Sequence, residues 1–188
     1  MIYRIHPDVY QYQIFNIDAD IVEDAMGEEC LIYMDSTPTS YATSWKEIEI
    51  EFYDAITEAP DTNKKIPDII SDDGFLFLNE KAYRLLAPTL SADGEWLGVK
   101  YAGQQAYLLN VLSLAEQHEG IDEENTQPDN DGIVHLAFKE STLAGVSIFR
   151  TEEDSYLGIY CSEAIKELIE HHELKGCVLT SDLSDKPL

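Results

Sequence analysis

From Trp45 to Phe52 apolar and acidic residues alternate: Ile48, Ile50 and Phe52 fall on one side, Glu47, Glu49 and Glu51 on the other. Period two among β-branched and aromatic residues predicts a strand that buries one face and wets the other. Its wet side is then a ladder of carboxylates. Segments 10–17, 30–34, 95–101, 106–111, 133–139, 146–150 and 156–161 read as further strands of decreasing regularity. Two stretches follow the helical period instead. Asn79 is a good N-cap, Glu80 suits the positive helix end, and Ala82, Leu85, Leu86 and Leu90 recur at helical spacing. Pro88 is expected to close that helix. Ser162 caps a second helix with Ala164, Ile165, Leu168 and Ile169 as its apolar face. His171, His172 and Lys175 suit its negative end, and Gly176 suits a left-handed terminator. Two polar, turn-rich stretches, 58–65 and 120–132, read as surface connections. Strands and helices do not alternate as βαβ units, which predicts an α+β fold: mostly antiparallel sheet or sheets with two to three helices. Residues 1–60 form a strand-rich N-terminal segment, separate from or continuous with a second unit over 66–180.

Charge changes this picture more than any motif. The 188 residues carry 37 Asp and Glu against 12 Lys and Arg, a formal net charge of −25. No Lys or Arg lies between Ile5 and Trp45, nor between Tyr101 and Phe138. Such a field repels nucleic acid and anionic membrane, and steers basic partners inward. The chain is 44% hydrophobic with eleven Tyr, apolar enough to build a core and unlike a disordered acidic chain. Nothing approaches an 18-residue apolar run, and the N-terminus lacks a signal-peptide pattern. Cys30, Cys161 and Cys177 lack metal-type spacing and read as reduced thiols, consistent with a cytoplasmic protein.

Catalytic signatures are missing: there is no phosphate loop, HExxH, CxxC or nucleophile elbow. His171 and His172 are adjacent, so on a helix they point about 100° apart and do not share an ion. The run 122–131 lacks the glycine and the bidentate Glu of a calcium loop. No metal, cofactor or catalytic residue is assigned, and the expectation is a binding protein. Like charges along one wet face repel, and a basic partner that neutralised them would recover that loss. The candidate partner-binding residues are Glu47, Glu49 and Glu51 together with Asp122, Glu123, Glu124, Asp129 and Asp131. Tyr41 and Trp45 are the candidate aromatic anchors.

An ordered series of short signatures runs from Ile66 to Gly176. It comprises Ile66-Pro67-Asp68 leading into Gly74-Phe75-Leu76-Phe77-Leu78, then Leu85-Leu86-Ala87-Pro88 with Gly94-Glu95-Trp96-Leu97. Tyr107-Leu108-Leu109-Asn110-Val111, Ile148-Phe149-Arg150, Tyr160-Cys161-Ser162-Glu163-Ala164 and Glu173-Leu174-Lys175-Gly176 complete it. In these segments the chain resembles a family of immunity proteins from bacterial polymorphic toxin systems. The resemblance implies a cytoplasmic, non-enzymatic protein that binds and neutralises one cognate toxin. A nuclease with a basic, phosphate-holding cleft is the expected class. Two other readings stand beside it: a small-molecule enzyme using paired carboxylates, and an acidic regulator that mimics nucleic acid. Oligomeric state is left open.

Overall fold

Two sheets stacked through one apolar layer organise the chain, and each carries a further apolar layer on its outer face. The computed structural model describes residues 1–27, 30, 37–57, 63–128 and 134–183. In chain order the elements are β1 (Ile2–Pro7), β2 (Ile14–Asn16), α1 (Ala19–Met26), β3 (Ile48–Glu49) and β4 (Glu51–Tyr53). Next come β5 (Ile69–Asp72), β6 (Phe75–Asn79), α2 (Glu80–Leu90), β7 (Gly94–Tyr101) and β8 (Gln104–Val111). The chain continues with β9 (Gln127–Pro128), β10 (Val134–His135), β11 (Ile148–Phe149), β12 (Ile159–Ser162), α3 (Glu163–His171) and β13 (Cys177–Thr180). The first sheet has the order β3-β7-β8-β6-β5, and only its β3–β7 pair is parallel. The second, β11-β12-β1-β13, is antiparallel throughout. Two small ladders, β2–β4 and β9–β10, complete an α+β fold with mostly antiparallel sheets.

The inner strands are apolar on both faces, so successive residues enter different cores. Along β6, Leu76 and Leu78 join the layer between the sheets while Phe75 and Phe77 join the outer layer. Along β8, Leu109 and Val111 point inward and Ala106 and Leu108 outward. The inner layer meets Ile5, Ile159 and Cys161 of the second sheet and takes in Leu86 and Leu90 of α2 and Ile165 and Ile169 of α3. Each such side chain contributes about 1.5–3 kcal/mol on burial. The outer layer of the first sheet is covered by Phe15, Val22, Ile48, Ile50 and Phe52. The outer layer of the second sheet gathers Ile2, Phe149 and Tyr160 under Leu136, Leu143 and Val146.

Several expectations are corrected. β1 lies between β12 and β13, so Ile2–Pro7 is an inner strand of the second sheet. The expected strand 10–17 contracts to β2, whereas 30–34 lies mostly outside the described residues. β1, β5 and β6 had no alternation to betray them, because strands buried on both faces do not alternate. Pro88 sits inside α2 and the helix runs on to Leu90, whose buried side chain anchors the last turn. α3 ends at His171, with Glu173 and not Gly176 as its left-handed residue (φ 51°). Gly176 (φ 121°) serves a different purpose: a Cβ there would lie 2.3 Å from the carbonyl oxygen of Ile69. Ser162 stands at the N-cap of α3 without a side-chain capping bond. All three cysteines are free thiols. No helix among the described residues is long and apolar enough to cross a membrane.

One polar network is buried where the sheets converge. Arg150 is 1% exposed. Its Nε–H donates to the Val111 carbonyl (2.8 Å) and its Nη2 to Asn110 Oδ1 (3.1 Å). Asn110 in turn donates to Thr39 O (2.8 Å) and Glu95 Oε1 (2.9 Å). Glu95 also accepts from the Tyr41 amide (2.6 Å) and the Ser40 hydroxyl (2.7 Å). Burial lowers the Arg150 guanidinium to about 10, which still leaves it charged at neutral pH. Gly74 (φ 78°) admits it: a Cβ there would stand 2.3 Å from Arg150 Nη1.

Beside that turn, burial pushes the Asp72 carboxyl up to about 7, assisted by the adjacent charge of Asp73. The folded state therefore keeps a proton that the unfolded chain, titrating near 4, has already released. Stability contributed by this group is present at low pH and lost as pH rises from about 4 through 7. Asp72→Asn should accordingly raise stability at pH 8 by about 1–2 kcal/mol and change it little at pH 4. Denaturant unfolding at the two pH values checks this, and an equal effect at both would refute it.

Candidate functional site: an acidic outer face

The carboxylate ladder is real in burial but divided in pairing. Ile48, Ile50 and Phe52 are buried and Glu47, Glu49 and Glu51 exposed, as period two requires. Ile48 and Glu49 pair in parallel with Val99 and Lys100 on β7, and the Ile50 amide donates to Lys100 O (2.7 Å). The chain then leaves β7, and Glu51 and Phe52 pair with Asn16 and Phe15 on β2. One short segment thus ties the edge of the first sheet to the flap that covers it.

Lys100 relieves part of the expected repulsion, which corrects the picture of an unbroken acidic ladder. Its Nζ lies 2.6 Å from Glu47 Oε1. The hydrogen bonds from Lys100 and Gln105 hold the Glu47 carboxyl below the usual carboxylate range, and Glu47 raises Lys100 in return. Glu49 Oε1 accepts from the Gly103 amide (3.2 Å) in the β7–β8 turn. Glu51 has no ion pair among the described residues. An open, polar depression of about 310 Å³, lined by Tyr101, Gln104 and Gln105 with Asn79, Glu80 and Lys81, adjoins this cluster.

A second acidic surface beside β3 is carried by α1, which the sequence reading missed. Asp18 caps it, its carboxylate accepting from the amides of Asp20 (2.8 Å) and Ile21 (3.2 Å). Val22 is buried, Ile21, Ala25 and Met26 pack on the same layer, and Asp20, Glu23 and Asp24 face solvent. The signal was available: an Asx cap followed by apolar residues at 21, 22, 25 and 26. α1 packs against β3 from the side to which Ile48 and Ile50 point, so its acids and the Glu47 and Glu49 carboxylates, which stand with Lys100 on the other side of the sheet, flank the same sheet edge. The Lys46 ammonium is tied to the Ala25 carbonyl at the negative end of α1.

The remaining candidates are not brought to this face. Tyr41 is 7% exposed and packs in the outer core, so it offers no anchor to a partner in this conformation. Trp45 is half-buried and its indole N–H donates to Gly98 O (2.9 Å), leaving one edge at the rim. Asp122 organises its own turn: its carbonyl accepts from the Thr126 amide (2.8 Å) and its carboxylate from Asn125 Nδ2 (2.8 Å). Glu123 and Glu124 are exposed there. This turn hangs on Ala137 beside the outer core of the second sheet, on the opposite side of the stack from α1 and β3. Asp129 and Asp131 lie outside the described residues. Among the described residues no three His, Cys, Asp or Glu side chains converge as a metal site. The raised carboxyl of Asp72 has the exposed Asp73 as its acidic neighbour among the described residues. No protein-family model matches the chain, and no curated protein matches it either.

Proposed function

We propose that this chain is a cytoplasmic, non-enzymatic immunity protein that binds a cognate bacterial toxin, a nuclease with a basic active-site surface, and neutralises it. The observation that carries this reading is the acidity around one edge of the first sheet. Asp18, Asp20, Glu23 and Asp24 of the α1 segment and Glu47, Glu49 and Glu51 of the adjoining strands stand there against Lys46 and Lys100, and both cations are already engaged within the chain. A rigid carboxylate surface of this kind complements a cleft built to hold phosphates and accelerates encounter by about 10- to 1000-fold at low ionic strength. The series of signatures from Ile66 to Gly176 points to the same class of protein.

The test is co-purification with the protein encoded immediately upstream, titrated from about 50 to about 500 mM salt. A one-to-one complex that blocks the toxin and weakens steeply with salt is the expected result. No complex at any salt would overturn the immunity reading, and a tight complex indifferent to salt would overturn the acidic interface.

A further inference from the structure

We propose that the uncovered half of the β7–β8 face is a docking notch for an arginine side chain of the protein partner, an assignment that rests on the immunity reading. The inner apolar layer takes Leu109 and Val111 from β8 but only the half-buried Trp96 from β7. Beyond Trp96 the same face continues through Gly98 and Lys100 of β7 and Tyr107 and Gln105 of β8, because alternate residues share a side. Gly98 stands directly opposite Tyr107, and Lys100 opposite Gln105. Three half-buried rings border this row as one contiguous unit. Tyr83 of α2 stacks on Tyr107 with centroids 3.6 Å apart and meets Trp96 edge-on at 4.9 Å. Gly98 is the floor. A Cβ there would stand 3.5 Å from Glu47 Oε2 and 3.7 Å from Gln105 Nε2, so a side chain fits and its absence leaves a gap open to an approaching group.

Charge and ring chemistry select the occupant. Burial raises the Tyr107 hydroxyl, and the neighbouring Tyr83, Glu80 and Glu47 raise it further against Arg84 alone, so the rings sit in a negative field. The cations in reach are already committed. Lys100 Nζ lies 2.6 Å from Glu47 Oε1, and Arg84 is bound to Glu80. Glu49, in register with Lys100, accepts from the Gly103 amide and makes no ion pair among the described residues. A guanidinium is planar and weakly hydrated, so it stacks on an aromatic face while its N–H groups reach a carboxylate; an ammonium does this less well. Trp, Tyr and Arg also carry most interface energy where they meet. On a body of charge −25 the partner steered to this edge is basic, and an anionic occupant is repelled.

Two measurements separate this notch from the immunity reading. In the first, the full chain is titrated with a tri-arginine and a tri-lysine peptide at about 50 mM salt, following the Trp96 indole N–H signal by nitrogen-15 NMR. The expected result is at least about three-fold tighter binding of the arginine peptide, with the Trp96 signal shifting and the preference lost in Tyr107→Ala. Equal affinity for both peptides, or a Trp96 signal that does not move, overturns the proposal. The second uses the protein encoded immediately upstream. Gly98→Arg fills the notch with the chain's own guanidinium and should weaken that complex at least about ten-fold with an unchanged melting temperature. Ser141→Arg makes the same charge change in the exposed turn before Leu143, over the second sheet, and should do far less. A complex that forms and is indifferent to Gly98→Arg overturns the notch and leaves the immunity reading standing. Absence of any complex overturns the immunity reading, and the peptide titration then decides the notch by itself.

Discussion

Arg150→Ala should destabilise the fold by about 3–5 kcal/mol, the cost typical of removing one partner from a buried charged network. The side chain is 1% exposed and bridges the end of β8 to the segment after β11. Its removal strands the Val111 carbonyl and Asn110 Oδ1 away from water, and each buried acceptor left unpaired costs about 1–3 kcal/mol. It also removes a positive charge that interacts with the carboxylate of Asp154, which is 9% exposed and accepts from the Gly158 amide (3.0 Å) and the Tyr160 hydroxyl (2.7 Å). For a chain of this size the melting temperature should fall by about 10 °C. Arg150→Lys should not rescue it, because an ammonium cannot span the Val111 and Asn110 acceptors at once. Gly74→Ala should fail by an independent route, forcing a Cβ against Arg150 Nη1 in a backbone conformation that suits glycine. Melting temperatures within about 2 °C of the parent for Arg150→Ala would show that the network is dispensable.

Reversing Glu49 and Glu51 to Lys should weaken toxin binding at least about ten-fold, mainly through the association rate, with little loss of stability. Adding Glu23→Lys and Asp24→Lys on α1 should extend the loss to about 100-fold, because α1 packs on β3 and all four carboxylates surround one sheet edge. These positions are chosen because their side chains face solvent and anchor nothing in the core. Glu47 is spared because it already holds Lys100, so its replacement would confound binding with a local rearrangement. Relief of like-charge crowding should leave the melting temperature unchanged or slightly higher. Glu123→Lys with Glu124→Lys, on the opposite outer layer, serves as the internal comparison and should affect binding far less. Equal losses from both pairs would mean that the partner senses net charge and not this face. Unchanged affinity and salt dependence after the α1, β3 and β4 reversals would remove this edge from the interface altogether.

The same two predictions mark where sequence reasoning succeeds and where it stops. Ile48, Ile50 and Phe52 announce their burial through alternation alone, because the pleat of an extended chain turns successive side chains to opposite faces. Asn79 announces α2 in the same local way, through a cap that accepts from the Ala82 amide (2.9 Å). Arg150 gives no such notice. An isolated arginine after Ile148 and Phe149 looks like any surface cation, and only the approach of Gly74, Asn110 and Val111 from distant parts of the chain buries it. β5 and β6 escaped for the converse reason: apolar on both faces, they show no period to read.

Sequence alone determined the acidity of this protein, the period-two burial of residues 45–52, the two later helices and the α+β class. All of these depend on residue identity or on spacing within a few residues. Tertiary structure alone decided that the ladder is split at Ile50 between two pairings, that Lys100 stands beside Glu47 and that α1 packs on β3. It also separated Asp122, Glu123 and Glu124 from that edge and buried Tyr41. Backbone periodicity is a property of the local chain, whereas electrostatic and packing neighbours are set by which strands pair. Those pairings join residues dozens of positions apart, and no local pattern encodes them.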